Sequence, residues 1–392
     1  MTEGKHRVWA EIDLDAIAHN MRIIRKHTGQ KTKVMAVVKA DAYGHGVIPV
    51  AKTMIESGAD AFGVACVSEA VQIRRGGIDK PVLILGAVLP SEVETIVDYN
   101  ITTAAFDPIN AKHLSDIAVK KGKRAPVHIK VDTGMSRIGV SVLEKDAVKT
   151  VKEIAALPGI EITGIFTHFS CADTDNEALT EKQFERFTGF CDILKKEGIN
   201  IPLKHISNSA AIFRYPQYKL DMVRAGIVCY GLYPSEIISG YGIEPAMSLK
   251  TVVSRVANLM PGESVSYGAT YTASEKRRIA TLMAGYGDGY SRLFSKDGRA
   301  ILGGEYVKFL GKICMDQCMV DVTDVNNIAV GDVATLFGKS GGKNIPVEEL
   351  AALSGTINYE IVCMISRRVP RVYKKDGKYA FELDYITDFC KQ

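Results

Sequence analysis

The stretch "VMAVVKADAYGHG" (residues 34–46) ends an apolar run on a lysine and follows it with a tyrosine, a histidine and two glycines. Desolvating an ammonium group is costly. Lys39 therefore either snorkels to the surface or uses its amine for chemistry. The apolar part, "VMAVVK" (34–39), reads as a buried strand. Seven comparable runs follow: "AFGVAC" (61–66), "VLILG" (82–86), "ITTAAF" (101–106), "VHIKVD" (127–132), "ITGIFTHF" (162–169), "KHISNS" (204–209) and "MVRAGI" (222–227). They are nearly continuous in apolar residues rather than alternating, as parallel strands covered on both faces should be. Between them lie helix-period segments such as "EALTEKQFERFTGFCDILKKEG" (177–198), which ends in glycine. Eight β–α units in succession predict an α/β fold, a (β/α)₈ TIM-like barrel over residues 14–243.

The texture changes near Tyr241. Runs such as "SLKTVVSRVANLM", "RAILGGEYVKFLGKI", "CMVDVTD" and "DVATLFGK" are shorter, more alternating and broken by Gly, Pro and Asp. They predict a mostly antiparallel β domain over 244–392, with residues 1–13 expected to join it. The chain of 392 residues is long enough for two domains. Its formal charge of +4 comes from scattered side chains, so no nucleic-acid partner is expected. Eight cysteines are dispersed, most of them in apolar runs, and are expected to be reduced. The start has no apolar signal region. The longest apolar run, "VLILGAVL", is far too short to span a bilayer. A cytoplasmic protein without membrane contact is the expectation.

Barrels of this kind place their active sites at the C-terminal ends of the strands. There the sequence puts Lys39 on the first strand, Arg137 after the fifth, His168 on the sixth, Asn208 and Ser209 on the seventh, and Arg224, Gly226 and Ile227 on the eighth. Each has an ordinary reading. Lys39 could snorkel, His168 could be a satisfied core histidine, Arg224 an ion-pair partner, and Ser209 a helix N-cap. Their convergence on one face favours a shared site. Ser209 and the amides near Gly226 suit a phosphate. A lysine beside a phosphate site suggests pyridoxal 5′-phosphate held as a Schiff base. A cofactor-free lysine aldolase acting on a phosphorylated sugar fits the same residues. No metal is expected: His168, His205 and Asp132 could gather, but no acidic cluster completes a shell. The Cys314–Cys318 pair lacks a second pair.

The residues resemble the alanine racemase family along essentially the whole chain. "AVVKADAYGHG" is close to that family's cofactor-lysine signature. "HIKVDTGMSRIG", "THF", "HISNSA", "VRAGI", "SYGATY", "GYGDGY", "GKICMDQCMVDVT" and "INYEIVC" resemble its later motifs in order. Ser136 and Gly287 depart from the family pattern without removing a functional group.

The resemblance implies pyridoxal 5′-phosphate on Lys39, which serves as one base. Tyr267 serves as the other, from the partner subunit of a homodimer with shared sites. It implies that Arg224 contacts the pyridine nitrogen, supported by His168. Tyr43, Asn208, Ser209, Gly226, Ile227 and Tyr359 would hold the cofactor. Arg137, with Met315, Cys314 and Asp316 of the partner, would bind the substrate. Tyr286 and Tyr359 would narrow the entrance, and Lys130 matches a lysine carbamylated in some members. The implied activity is interconversion of L- and D-alanine, supplying D-alanine for peptidoglycan. Racemisation removes a proton from one face and returns one to the other, which suits two opposed bases. A tyrosine, with an ordinary pKa of about 10, needs help from a nearby cation, and His168 with Arg224 is the candidate. The rivals are a racemase of serine or of broad specificity, a barrel decarboxylase and a non-catalytic cofactor-binding protein. The decarboxylases carry a glutamate where this chain has Arg224. The non-catalytic barrels lack a β domain.

Overall fold

The structure is a computed structural model that describes residues 6–389. The chain divides into two compact units. One contains Ile17–Ala42 and Val47–Glu244. The other contains residues 6–16, the short loop Tyr43–Gly46 and residues 245–389.

The first unit is a closed parallel barrel. Its eight strands are Lys33–Val37, Ala61–Val64, Val82–Ile84, Thr102–Ala105, Ala125–Asp132, Ile160–Phe166, Lys204–His205 and Met222–Ala225. Neighbours pair in parallel, and the eighth closes on the first with Met222 opposite Lys33 and Arg224 opposite Met35. Burial explains the composition: the strands are covered inside by one another and outside by helices. Met35, Ala61, Leu83, Ala104, Phe166 and Met222, from six of the strands, form a layer of the interior core. The helices start where the sequence provides acceptors. Asp107 caps Pro108–Lys120 by accepting from Ile109 N–H, and Asn176 caps Glu177–Lys196 by accepting from Leu179 N–H.

Several strands stop earlier than the apolar runs suggested. The first ends at Val37, the sixth at Phe166 and the seventh at His205. Lys39, His168 and Asn208 therefore lie beyond the strands, in the loops and turns that follow, and Ser209 opens the helix Ser209–Arg214. Apolar character continues because these segments are themselves buried, not because they pair.

The second unit is built on a ten-stranded sheet. Its long central strand, Met247–Leu259, pairs antiparallel with Val8–Asp13, Arg277–Leu282 and Val333–Ser340. The N-terminal strand Val8–Asp13 also pairs in parallel with Arg371–Lys375. The strand over 247–259 is irregular between Val253 and Arg255, which lets one strand serve two sets of partners. The chain's single tryptophan, Trp9, packs with Val252 and Val372, and a second cluster gathers Leu259, Val265, Ala273, Ile279 and Leu310. Among the described residues no helix is long and apolar enough to cross a membrane. Cys66, Cys171, Cys191, Cys229, Cys314 and Cys318 carry free thiols, while Cys390 lies outside the described residues.

Candidate active site

Past Val37 the backbone turns the wrong way for L-residues. Ala40, Asp41, Ala42 and Tyr43 have φ values of 51°, 55°, 54° and 53°. A left-handed turn costs roughly 1–2 kcal/mol per residue, because Cβ crowds the following carbonyl. Four such residues in succession persist only where the surroundings hold them. Here Ala42 N–H donates to Val38 O at 2.9 Å. The Asp41 carboxylate accepts Val47 N–H at 2.9 Å and so starts the helix Val47–Glu56. Tyr230 hydroxyl donates to Val37 O at 2.9 Å. Lys39 opens this turn and stands exposed on the unit.

Arg224 lies inside the barrel end, almost wholly buried. Its Nη1 donates to His205 Nδ1 at 3.0 Å and to His205 O at 3.2 Å. Its Nη2 donates to Thr167 O at 2.8 Å, Ile206 O at 3.0 Å and His168 Nδ1 at 3.2 Å. A guanidinium is donor-only, so both Nδ1 atoms must be acceptors. His205 then carries its proton on Nε2 and donates to His128 Nδ1 at 2.9 Å. This fixes the tautomer of each ring in turn. Burial first, and Arg224 second, push His168 and His205 well below the usual imidazole range and His128 down to about 4. The charge in this network therefore sits on the guanidinium and not on His168. Burial also lowers Arg224, to about 9, which leaves it charged at neutral pH.

Sequence reasoning missed His128 altogether and weighed His205 only as a metal ligand. Among the described residues no three His, Cys, Asp or Glu side chains gather where an ion could be held. His128 has a readable cause. Strands five and six slip register between Val127 and His128, which sets His128 opposite Gly164. A Cβ on Gly164 would lie 2.7 Å from the His128 ring, so glycine makes room for the imidazole. The spacing of His128 and Lys130 was the available signal, since residues two apart on a strand share a face.

Lys130 is buried, with Nζ donating to Val131 O at 2.6 Å and Ile138 O at 3.1 Å. Burial, with Arg224 and Arg137 adding to it, lowers its amine to about 7, and Asp132 partly opposes this. Asp132 in turn accepts the N–H groups of Gly134 and Met135 at 2.8 and 2.9 Å, shaping the loop that carries exposed Arg137. The fields of Arg224, Arg137, Lys130 and Lys39 all bear on His168, so these five side chains share one end of the barrel.

At the same end, Asn208 and not Ser209 is the N-cap, its side chain accepting Ala211 N–H at 3.1 Å. Ser209 Oγ is thereby spared for Gly226 N–H, which it accepts at 2.9 Å. Ile227, fully buried, heads a short 3-10 turn over 227–230. The first amides of such a turn have no acceptor within it.

The second unit holds the remaining expected positions in two places. Tyr43 and Tyr359 approach with ring centroids 6.1 Å apart. Elsewhere, the loops over 266–269, 285–289 and 314–316 knit together. Ser266 hydroxyl donates to Lys312 O at 2.6 Å and lies 3.4 Å from Cys314 Sγ. Tyr286 and Gly287 donate their N–H groups to Cys314 O and Met315 O at 3.1 and 2.9 Å. Beneath them Asp288, with no exposed surface, accepts Arg368 Nε at 2.8 Å and Gly285 N–H at 3.0 Å, and pairs with Arg7. Arg368 also donates to Met315 O at 3.3 Å and Asp316 Oδ1 at 2.7 Å. Asp288, Arg368 and Arg7 were not singled out from the sequence. Above this anchor Tyr267 is 69% exposed, Met315 51% and Tyr286 43%.

A closed barrel with a lysine, a buried arginine and amide donors at one end, joined in sequence to an antiparallel domain, defines a class of barrel protein that offers an amine, a fixed cation and anion donors at its strand ends. The comparisons narrow it. The signature of the alanine racemase N-terminal domain matches residues 12–234, and that of the C-terminal domain residues 246–373. The chain is 47% identical to the alanine racemase of Methanococcus maripaludis over 370 residues, covering 94% of this chain and 99% of that one. It superimposes on the alanine racemase of Clostridium difficile with a TM-score of 0.94 at 38% identity, covering 97% and 99% of the two chains. A histidine racemase from Leuconostoc mesenteroides matches at 30% identity with a TM-score of 0.85, covering 94% and 98%. The chain belongs to the alanine racemase family.

Proposed function

We propose that this protein is a pyridoxal-phosphate-dependent alanine racemase. It acts in the cytoplasm as a homodimer and supplies D-alanine for peptidoglycan. The observation that carries the reading is the cluster around Arg224. Both Nη nitrogens are consumed by internal acceptors, while Nε–H has no acceptor among the described residues. That donor suits a pyridine nitrogen. Lys39 supplies a primary amine, and the Ser209 hydroxyl proton with the Ile227 amide suits a phosphate, while the Gly226 N–H, which donates to Ser209 Oγ, aims that hydroxyl and Asn208 shapes the turn. Tyr43 and Tyr359 complete the cofactor-holding set. The donor set thus fits pyridoxal 5′-phosphate.

When bound, the cofactor acidifies the substrate α-proton by drawing off the electron pair left behind. The chain's own residues do the rest. Lys39 Nζ takes or returns a proton on one face of the α-carbon, and Tyr267 Oη does so on the other. Arg224 offers a hydrogen bond and keeps its own proton, which moderates electron withdrawal and favours reprotonation over side reactions. His168 and His205 fix the guanidinium plane. Arg137, with the Met315 backbone and Asp316 and Cys314 beside it, receives the substrate carboxylate, and Tyr286 and Tyr359 gate the approach. Exposure of Tyr267 and Met315 on the single chain supports their use by a second copy. Burial lowers the Lys130 amine to about 7, so a substantial fraction is uncharged near neutral pH, the form that adds CO₂, and the carbamate would pair with Arg137.

The test incubates the purified protein and pyridoxal 5′-phosphate with L-alanine in deuterated water. Loss of optical rotation with α-deuteration is expected, and borohydride reduction should mark Lys39 in peptide maps. Rescue of a D-alanine auxotroph would support the cell-wall role. The histidine racemase match favours one second reading, a racemase of another amino acid. Faster turnover of serine, histidine or another substrate in the same assay would select it. Cofactor on Lys39 without α-deuteration of any amino acid would point to a non-catalytic binding protein.

A further inference from the structure

Glu69 sits in the first turn of the helix Val67–Arg75. Its two carboxylate oxygens go to different loops. Oε2 accepts Ala65 N–H at 2.7 Å, just before its own helix, and Oε1 accepts Ala40 N–H at 2.7 Å. Ala40 follows Lys39 directly and is the first residue of the left-handed turn. The two loops leave neighbouring barrel strands, which pair up to Val37 opposite Gly63. A carboxylate serving only as a local cap would need Ala65 alone. Its second oxygen reaches across to the amide of the peptide bond that joins Lys39 to the left-handed turn.

We propose that Glu69 is a positioning residue for Lys39, its carboxylate clamping the left-handed turn to the second strand so that the amine is presented in one orientation. The proposal rests on the reading of Lys39 as the cofactor-bearing lysine. Hydrogen bonds to an ionised acceptor are short and strong, and this one holds a backbone shape that alanine does not favour. Glu69→Gln keeps the size but offers one acceptor where two amides need them, and turns an N–H donor toward the other.

Hydrogen exchange of peptides over residues 38–43, measured before cofactor is added, tests the clamp itself. Exchange in Glu69→Gln is expected to be faster by about tenfold, and unchanged exchange overturns the proposal. Next, pyridoxal 5′-phosphate is added and the Lys39 linkage is followed by its visible absorbance and by borohydride mapping. Uptake is expected to slow by about tenfold. Ala40→Gly, which relieves the left-handed cost, should restore about threefold in the Glu69→Gln background. Wild-type uptake by Glu69→Gln, or slow uptake that Ala40→Gly does not rescue, counts against it. If Glu69→Gln does not fold, Glu69→Asp, too short to span both amides, is judged by the same outcomes. A wild-type protein whose Lys39 takes no cofactor removes the functional reading, while the exchange result still decides the clamp.

Discussion

At the barrel end two of the charged groups, Arg224 and Lys130, are buried, while Lys39 and Arg137 are exposed. Arg224 and Lys130 lose solvent, their proton affinities fall, and the histidines around Arg224 are held neutral. In the strand-rich unit the arrangement is inverted. The charges at Asp288 lie underneath, while Tyr267, Tyr286 and Met315 are displayed on the surface. A buried cluster tunes its own groups, because low polarity amplifies every interaction within it. A surface display tunes nothing until something covers it. The comparison therefore separates a buried cluster that sets its own electrostatics from a set of side chains anchored from below and left exposed on the single chain.

The strongest way to break this comparison is complementation. Lys39→Ala and Tyr267→Phe should each lower racemase activity by about a thousandfold or more. Mixing the two after subunit exchange should restore up to about a quarter of wild-type activity. Half the dimers would be mixed, each with one intact site of two. No recovery with proven exchange would place both bases in one chain. Next in size is Arg224→Leu. It leaves three carbonyls and two ring nitrogens without their donor, at about 1–3 kcal/mol for each group left buried and unpaired. Unfolding in urea should show a loss of about 3 kcal/mol or more, along with poor cofactor retention in the dialysed protein.

Asp288→Asn probes the other region. Releasing Arg368 and Arg7 should loosen the loops under Met315 and Tyr286. A fall of about tenfold in kcat/KM is expected, mostly through KM, with Lys39 labelling unchanged. Loss of Lys39 labelling would mean that the two regions are not separable. The smallest effect concerns Lys130. Its amine titrates near pH 7 when folded, but near the ordinary lysine value when unfolded. The unfolded chain thus binds the extra proton between those values, and stability should rise with pH from about 7 to 10. Below pH 7 the penalty is constant. The slope is at most about 1.4 kcal/mol per pH unit. In CO₂-free buffer, urea midpoints at pH 7 and 9 should differ more for wild type than for Lys130→Met. Added bicarbonate should flatten the wild-type slope and raise its mass by one CO₂.

What the sequence determined by itself was the alternation of buried runs and amphipathic segments. Strands such as 82–84 and 222–225 could be read because a parallel strand covered on both faces has little choice of residue. The motif order was legible for the same reason: local composition records burial and turns. What only the tertiary structure decided were the relations that need two distant segments. The left-handed path after Lys39 is invisible in "KADAY", because only its Asp visits φ above zero at all readily and the shape is imposed by bonds to Val38, Val47 and Glu69. The His128–His205–Arg224 chain depends on a register slip that seats an imidazole against Gly164. Asp288 reads as a turn residue in "GYGDGY", and only folding brings it Arg7 and Arg368 from opposite ends of the chain. Local propensity is written residue by residue, but a group's protonation state and aim are set by what long-range packing places beside it.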